Sequence, residues 1–307
     1  MRIGINASGL VVLGTTIDGY VDHAVAAEAD GFSSWWMAQL GVPDALTTLG
    51  VVGRATDTIE LGTAVVPTWF RHPLMLAAQA LTTQEMAGGR LALGIGLAHQ
   101  SSIEGTLRLP FVRPARHMSD YLSVLLPALA DRRVDHEGEI WSGVTDGIGG
   151  APAEAPSVLL AAMGPRMLDL AGSRTDGTVL WLSGPRAIDD HLRPALTAAA
   201  ARAGRPAPRV VASVPVCVTD DPDPVRELIA TLLAGYNDLP SYRGVMDSEG
   251  VDGPAGVSIV GDEAAVRAGI ARFAAAGTTD FAPVELGTND DETARTRALL
   301  KELAAEG

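Results

Sequence analysis

Residues 59–100 read IELGTAVVPTWFRHPLMLAAQALTTQEMAGGRLALGIGLAHQ. Residues 59–66 are apolar and β-branched over too short a span for a helix, which predicts a buried strand. His72-Pro73 then opens a helix with proline in its first turn, where the missing N–H costs nothing. Leu74, Ala77, Ala78 and Leu81 recur at i, i+3, i+4 and i+7, so one face of that helix is apolar. Gly88-Gly89 ends it, and residues 91–95 form a second buried strand running into Gly94, Gly96 and Leu97. Strand, helix and strand joined this tightly must be parallel neighbours with a right-handed crossover.

The same alternation continues on both sides. Upstream, strands are expected over 2–7 and 32–37, with helices over 17–30 and 44–54, the second capped by Asp44 after Pro43. Downstream, strands over 157–163, 178–182, 209–218 and 279–286 are separated by helices, and 290–305 closes the chain as a helix. Eight strands with intervening helices and no break in composition indicate a single α/β domain over 1–307, a (β/α)₈ TIM barrel, with a doubly wound open sheet as the alternative. Two stretches stand outside the pattern. Residues 134–150, after strand 4, read as a polar hairpin or excursion. Residues 237–260, after strand 7, read as a long loop or insertion on the active-site side.

The 307 residues suffice for a barrel, which takes ~250. With 47% hydrophobic and 20% charged residues the chain can bury a large core. A net charge of −14 argues against a nucleic-acid-binding face and against an anionic membrane surface. No apolar run reaches membrane-spanning length and no secretory leader is seen, so a soluble, cytoplasmic protein is expected. The lone Cys217, set in VPVCV, reads as an inert core thiol. The histidines show no metal-ligand spacing, so no metal is expected.

Residues 61–96, LGTAVVPTWFRHPLMLAAQALTTQEMAGGRLALGIG, resemble the core signature of the luciferase-like flavin and deazaflavin oxidoreductases, through LGT-x-V, HP, A-x-Q and GGR-x-x-L-G-x-G. Residues 161–181, AAMGPRMLDLAGSRTDGTVLW, are similar to a segment of the deazaflavin branch, which uses coenzyme F420. The resemblance implies a luciferase-like TIM barrel and a homodimer. It implies that the backbone of Met163, Gly164, Pro165, Arg166 and Met167 holds the cofactor phosphate. It also implies that Gly62, Thr63, Ala64, Val65 and Val66 back the ring, with a non-proline cis peptide near Ala64–Val66, and that Gly96 and Leu97 lie beside it.

The residues themselves support part of this. With Gly164 as N-cap and Pro165 at N1, the N–H groups of Gly164, Arg166 and Met167 are free at the positive end of a helix, a ready anion site. The Arg166 guanidinium adds a charged donor. An ordinary strand-to-helix turn with a surface arginine fits the same five residues. His99 closes GIGLAH at the mouth of the fourth strand, where barrel enzymes place catalytic groups, or is a locally bonded loop histidine. Trp36, Trp69 and Trp181 fall at or near strand ends and, with Phe70, suggest an aromatic substrate wall, although core packing explains a single tryptophan well.

Two departures from the resemblance bear on the reaction. Where alcohol and sugar-phosphate dehydrogenases of the branch have a histidine base after strand 2, this chain has Gln39, and where they have a glutamate after the strand 4 glycine it has Leu97. A glutamine hydrogen-bonds but takes up no proton near neutral pH. The expected function is an F420-dependent reductase transferring a hydride to a C=C or C=N bond of a small metabolite, with Gln39 and His99 at the catalytic position. The alternatives are an FMN-dependent monooxygenase on the same fold and a deazaflavin-binding barrel without catalysis.

Overall fold

The computed structural model describes residues 1–150 and 154–306. Eight parallel strands form the barrel: β1 (Arg2–Ile3, continued by Ile5–Asn6), β2 (Ser34–Met37), β3 (Glu60–Thr63), β4 (Leu91–Gly96), β5 (Ser157–Leu160), β6 (Gly177–Trp181), β7 (Arg209–Ser213) and β8 (Asp280–Phe281). Each pairs with its neighbour in sequence, and β1 closes the ring by pairing with β8 at Arg2↔Asp280 and with β2 at Ile5↔Trp35. Around it lie α1 (Ile17–Ala29), α2 (Ala45–Ala55), α3 (Pro73–Met86), α4 (Pro114–Ala130), α5 (Pro165–Arg174), α6 (Arg193–Arg202), α7 (Glu263–Ala275) and α8 (Asp290–Glu306). The expected caps are present: Asp44 Oδ1 accepts the Thr47 N–H of α2, and Pro73 occupies the first turn of α3.

The two ends of the barrel differ in chemistry. At the N-terminal end, Arg209 donates to Glu60 at 2.8 Å and to Asp280 at 2.8 Å, and Arg2 joins the same two carboxylates. The four side chains come from the first residues of four strands and close the floor with paired charge. At the other end the loops are longer and carry most of the aromatic side chains described below.

Both stretches outside the repeat are ordered. Val134–His136 and Gly143–Thr145 form the expected antiparallel hairpin. Of the two readings of the 237–260 stretch, loop or insertion, the structure shows the insertion. It holds the helices Pro240–Glu249 and Pro254–Val257 and the strand Ile259–Gly261. Tyr242, Val245 and Met246 recur at i, i+3 and i+4 and are buried, which gives the first of these helices an apolar face to pack. Two of its glycines act as punctuation, Gly250 as the left-handed C-cap at φ +79° and Gly253 before the next helix, while Gly244 and Gly256 lie within the helices. The strand extends a second parallel tier, pairing with Pro215–Val218, which also pairs with Val284–Glu285.

Candidate active site

Trp36 corrects an expectation. It is fully buried inside the barrel among Ala92, Leu159, Val179, Val211 and Ala282, with its indole N–H donated to Ser34 Oγ at 2.8 Å. It fills the lumen beneath the mouth and lines no substrate wall. The strand register places Trp36 opposite Gly62, where a Cβ would stand 2.0 Å from the indole ring. Gly62 therefore makes room for tryptophan; contact with a cofactor is not needed to explain it.

Above this plug the chain after β3 bulges. The Ala64–Val65 peptide is cis, and Val66–Pro67 then resumes pairing with β4. The bulge is fastened by Ala64 N–H to Met37 O at 2.9 Å and by Gln39 N–H to Val65 O at 3.2 Å. Ala64 and Val65 are partly exposed and rest on the lumen cluster. A Cβ at Gly96 would stand 2.7 Å from Val65 Cγ2, so the β4 glycine lets the bulge lie close. The result is a shallow apolar floor made by Ala64, Val65 and the glycines of β4.

After β5, Gly164 caps α5 with extended backbone and Pro165 occupies N1. The first intrahelical bond is Leu168 N–H to Gly164 O, which leaves the N–H groups of Arg166 and Met167 without a helical acceptor. A Cβ built on Gly164 meets nothing within 4 Å. Met163 and Gly164 open onto a cleft of about 270 Å³ whose far wall is the Pro240–Glu249 helix. Pro165 and Arg166 also border a separate cleft of about 490 Å³ beside Ala115, Arg116 and Ser119 of α4. The structure thus supplies free backbone donors at this helix end.

His99 follows Ala98, which has φ +57°, at the end of β4. Its ring meets the edges of Tyr236 and Tyr242, each at 5.6 Å between centroids, and burial lowers its pKa. Trp181, at the end of β6, packs on Tyr236 at 6.5 Å. These four residues, with Met163, form one aromatic wall over the ends of β4 to β6. Trp69 belongs to a different group: it stacks on His117 at 3.8 Å, packs tilted on Phe111 at 5.0 Å, and its buried indole N–H has no partner among the described residues. Phe70 is exposed. Leu97 packs against the main core.

Gln39 does not present a free amide. Its Nε2 donates to Gly41 O at 2.8 Å and its Oε1 accepts the Ala45 N–H at 2.8 Å, so it braces the start of α2 together with the Arg71–Asp44 ion pair. Glu104 is also engaged, accepting from Gln100 and from the Phe111 N–H. Cys217 is buried, with its thiol pKa raised by desolvation to about 11.

The sequence reading missed His117, Tyr236, Tyr242 and a buried polar link at the mouth. Asn6 Nδ2 donates to Ser213 Oγ at 2.9 Å, Asn6 Oδ1 accepts the Ser8 N–H at 3.0 Å, and Ser8 Oγ accepts the Ala38 N–H at 2.9 Å. It ties the ends of β1, β2 and β7. A polar residue at the last position of a strand, after an apolar stretch, is the signal that marks Asn6 and Ser213. Two tyrosines within a glycine-rich stretch mark the other pair.

Residues 1–306 match the family model described as luciferase-like monooxygenase. A 5,10-methylenetetrahydromethanopterin reductase of Methanolobus tindarius is 26% identical over 289 residues, 91% of this chain and 85% of that protein. The coenzyme F420-dependent tetrahydromethanopterin reductase of Methanopyrus kandleri superposes with a TM-score of 0.82 at 20% identity, covering 99% of this chain and 98% of the other. The oxygenating constituent of 3,6-diketocamphane monooxygenase from Pseudomonas putida, in complex with FMN, gives 0.77 at 19% identity, covering 100% and 97%. The chain belongs to the luciferase-like monooxygenase family and is an oxidoreductase.

Proposed function

We propose that this oxidoreductase depends on F420 and works as a reductase on a C=C or C=N bond of a small metabolite. Reduced F420 supplies the hydride when bound; the acceptor's second atom takes a proton. The residues fit such a group. The free N–H groups of Arg166 and Met167 suit a phosphate at a helix N-terminus, with Gly164 leaving room for close approach. Ala64 and Val65 offer an apolar back for a flat ring, beside Gly96, whereas the Val66 side chain is buried in the main core and Leu97 packs against it. Trp69, Phe70 and Trp181 are proposed for the acceptor side.

The observation that carries the reductase reading is the lack of a poised base at the mouth. Alcohol oxidation needs a base matched to the working pH and oriented by a partner. His99 is shifted downward by burial, its close neighbours are tyrosine rings, and among the described residues no carboxylate pairs with it. Gln39 is committed to its own loop, and Leu97 carries no ionisable group. The name of the Methanolobus relative points to reduction as well. The likeness to an FMN complex favours a second reading, oxygen chemistry with FMN in the same place.

Parallel titrations with F420 and FMN, followed by fluorescence, decide between them. F420 is expected to bind selectively, and Gly164→Ala to weaken it about tenfold, equivalent to ~1.4 kcal/mol. The added methyl meets no protein atom, so its effect falls on the ligand. Arg166→Ala is expected to act less. Preference for FMN would overturn the cofactor assignment, and binding of neither would leave the family alone standing.

A further inference from the structure

We infer that Asn6 and Ser213 form a donor pair that holds the acceptor molecule. The Ser213 hydroxyl and the free Asn6 amide N–H meet one lone-pair atom of it, the unprotonated nitrogen of a C=N bond or an oxygen conjugated to a C=C bond. The inference rests on the reductase reading for the reaction and goes beyond it in assigning residues to the acceptor.

The direction of the hydrogen bonds carries it. Asn6 Oδ1 accepts the Ser8 backbone N–H at 3.0 Å, a bond that only the oxygen end of the amide can make. Ser8 Oγ donates to the same oxygen and itself accepts the Ala38 N–H at 2.9 Å, which holds the amide in this orientation. Nδ2 therefore faces β7 and donates to Ser213 Oγ at 2.9 Å. A hydroxyl that accepts at its oxygen still has its own proton to place. Among the described residues nothing accepts the Ser213 proton, and nothing accepts the second N–H of Asn6. Both side chains are buried, where donors are ordinarily paired. A ligand atom with a lone pair completes both.

Position agrees. Asn6 stands beside Trp36 in the strand register, and Ser213 lies two residues beyond Val211; Trp36 and Val211 are both lumen side chains. Since side chains alternate along a strand, Asn6 and Ser213 point into the barrel too, at the last positions of β1 and β7. Barrel enzymes work at this end. Ser8, two residues further on, and Trp181, the register partner of Ser213, are partly exposed. The apolar floor of Ala64 and Val65 follows β3, and β7 lies opposite β3 in the ring, with three strands between them on either side. A flat ring backed by that floor turns its other face toward β7 and β1, the side from which an acceptor approaches.

The chemistry follows from the donors. Hydride addition to the carbon of either bond pushes an electron pair onto the lone-pair atom, through conjugation in the C=C case. Two fixed donors aimed at that atom stabilise the charge as it forms. Neither side chain is an acid at neutral pH, so the pair binds and polarises, and water supplies the proton, to the nitrogen or to the carbon beside the carbonyl.

Calorimetric titration of the full chain, alone and loaded with F420, tests this with two probes. 2-Cyclohexen-1-one has the conjugated oxygen and cyclohexene lacks it. Ser213→Ala is expected to weaken cyclohexenone about fivefold and cyclohexene by less than about twofold. Asn6→Asp keeps the link and reverses it: the carboxylate accepts the Ser213 proton, and the hydroxyl turns away from the ligand. It is expected to weaken cyclohexenone about tenfold, with circular dichroism unchanged. In infrared difference spectra the carbonyl stretch of bound cyclohexenone should move to lower frequency in the wild type and lose that shift in both variants, which a merely structural link would not produce. No loss, equal loss for both probes, an unshifted carbonyl, or failure of cyclohexenone to bind the wild type overturns the pair. A fall in F420 affinity itself for Ser213→Ala would give the pair to a ring carbonyl of the cofactor and overturn its assignment to the acceptor. If F420 does not bind but the probes are still discriminated by the chain alone, the pair stands and the cofactor reading falls. If F420 binds and the discrimination is absent, the reverse holds.

Discussion

His99 and His117 both lie among aromatic rings, and burial lowers the pKa of both. What holds their ring nitrogens differs. His117 Nδ1 accepts the Trp141 indole N–H at 3.1 Å, and its Nε2 lies 2.9 Å from Thr68 Oγ1. With Nδ1 accepting, the hydrogen-bond pattern assigns the proton of the neutral ring to Nε2. A chain of donors then runs from Trp141 through His117 and Thr68 to the Gly96 carbonyl, which Thr68 Oγ1 reaches at 3.2 Å. The ring also stacks on Trp69. His99 has tyrosine rings around it and, among the described residues, no such chain. The direction of a pKa shift therefore does not separate a structural histidine from one available to a ligand; the wiring of its nitrogens does.

The largest expected effect breaks the wired side. His117→Ala removes a fully buried ring from under Trp69 and leaves the Trp141 N–H without its acceptor, which should cost about 3–5 kcal/mol of stability. His99→Ala should cost less than about 1 kcal/mol, because it loses edge contacts at a partly exposed site. Its turnover should fall about tenfold or more if His99 contacts cofactor or substrate. Urea denaturation of both variants checks the first pair of values. Equal losses would mean that the two histidines do the same job.

The pH dependence of stability isolates the same contrast. Burial brings the His117 pKa down to about 4, against an ordinary value near 6.5, with Asp120 opposing the shift. Between these values the unfolded chain binds more protons than the folded one, so acid favours unfolding. The His117 contribution is complete above about pH 6.5 and gone below about pH 4; it is on the order of 3 kcal/mol. His23, which accepts the Trp35 indole N–H and is also lowered to about 4, acts in the same sense, whereas burial raises Glu285 and acts in the opposite one. Comparing wild type with His117→Gln removes these common terms. Their stability difference should shrink between pH 7 and pH 4.5, and a constant difference would assign the acid sensitivity elsewhere.

How much of this was legible follows from how local each signal is. Residues 59–100 announce strand, helix and strand because periodicity, Pro73 and Gly88-Gly89 all act within a few residues. The position of the cis peptide is implied by the resemblance alone, since nothing in the TAVV composition of residues 63–66 reveals ω. Trp36 was misplaced because all four residues of β2 are buried, so alternation could not tell lumen from mouth. Its partner Gly62 held the missing information, but only once the register was known. The glycines of the 237–260 stretch leave loop and insertion equally open, and only the apolar spacing of Tyr242, Val245 and Met246 makes Gly250 and Gly253 helix caps. The His117 wiring joins α4 to the hairpin and to the turn after β3, across 24 and 49 residues, beyond the reach of any local pattern.

The smallest expected effect is the sharpest on the open side. Tyr242→Phe deletes a hydroxyl that makes no hydrogen bond within the described residues and keeps the ring that packs on His99 and Tyr236. Stability should therefore change by less than about 0.5 kcal/mol, since no partner is left unpaired. Trp141→Phe, on the wired side, removes the donor to a buried His117 nitrogen and should cost about 1–3 kcal/mol. Both substitutions take one polar group from an aromatic cluster, so melting curves of the two compare wiring with packing held nearly constant. A loss above about 1 kcal/mol for Tyr242→Phe would show that its hydroxyl already has a partner inside the protein. The mouth would then be closed where a ligand is expected, and His99 would stand beside His117 as a structural residue.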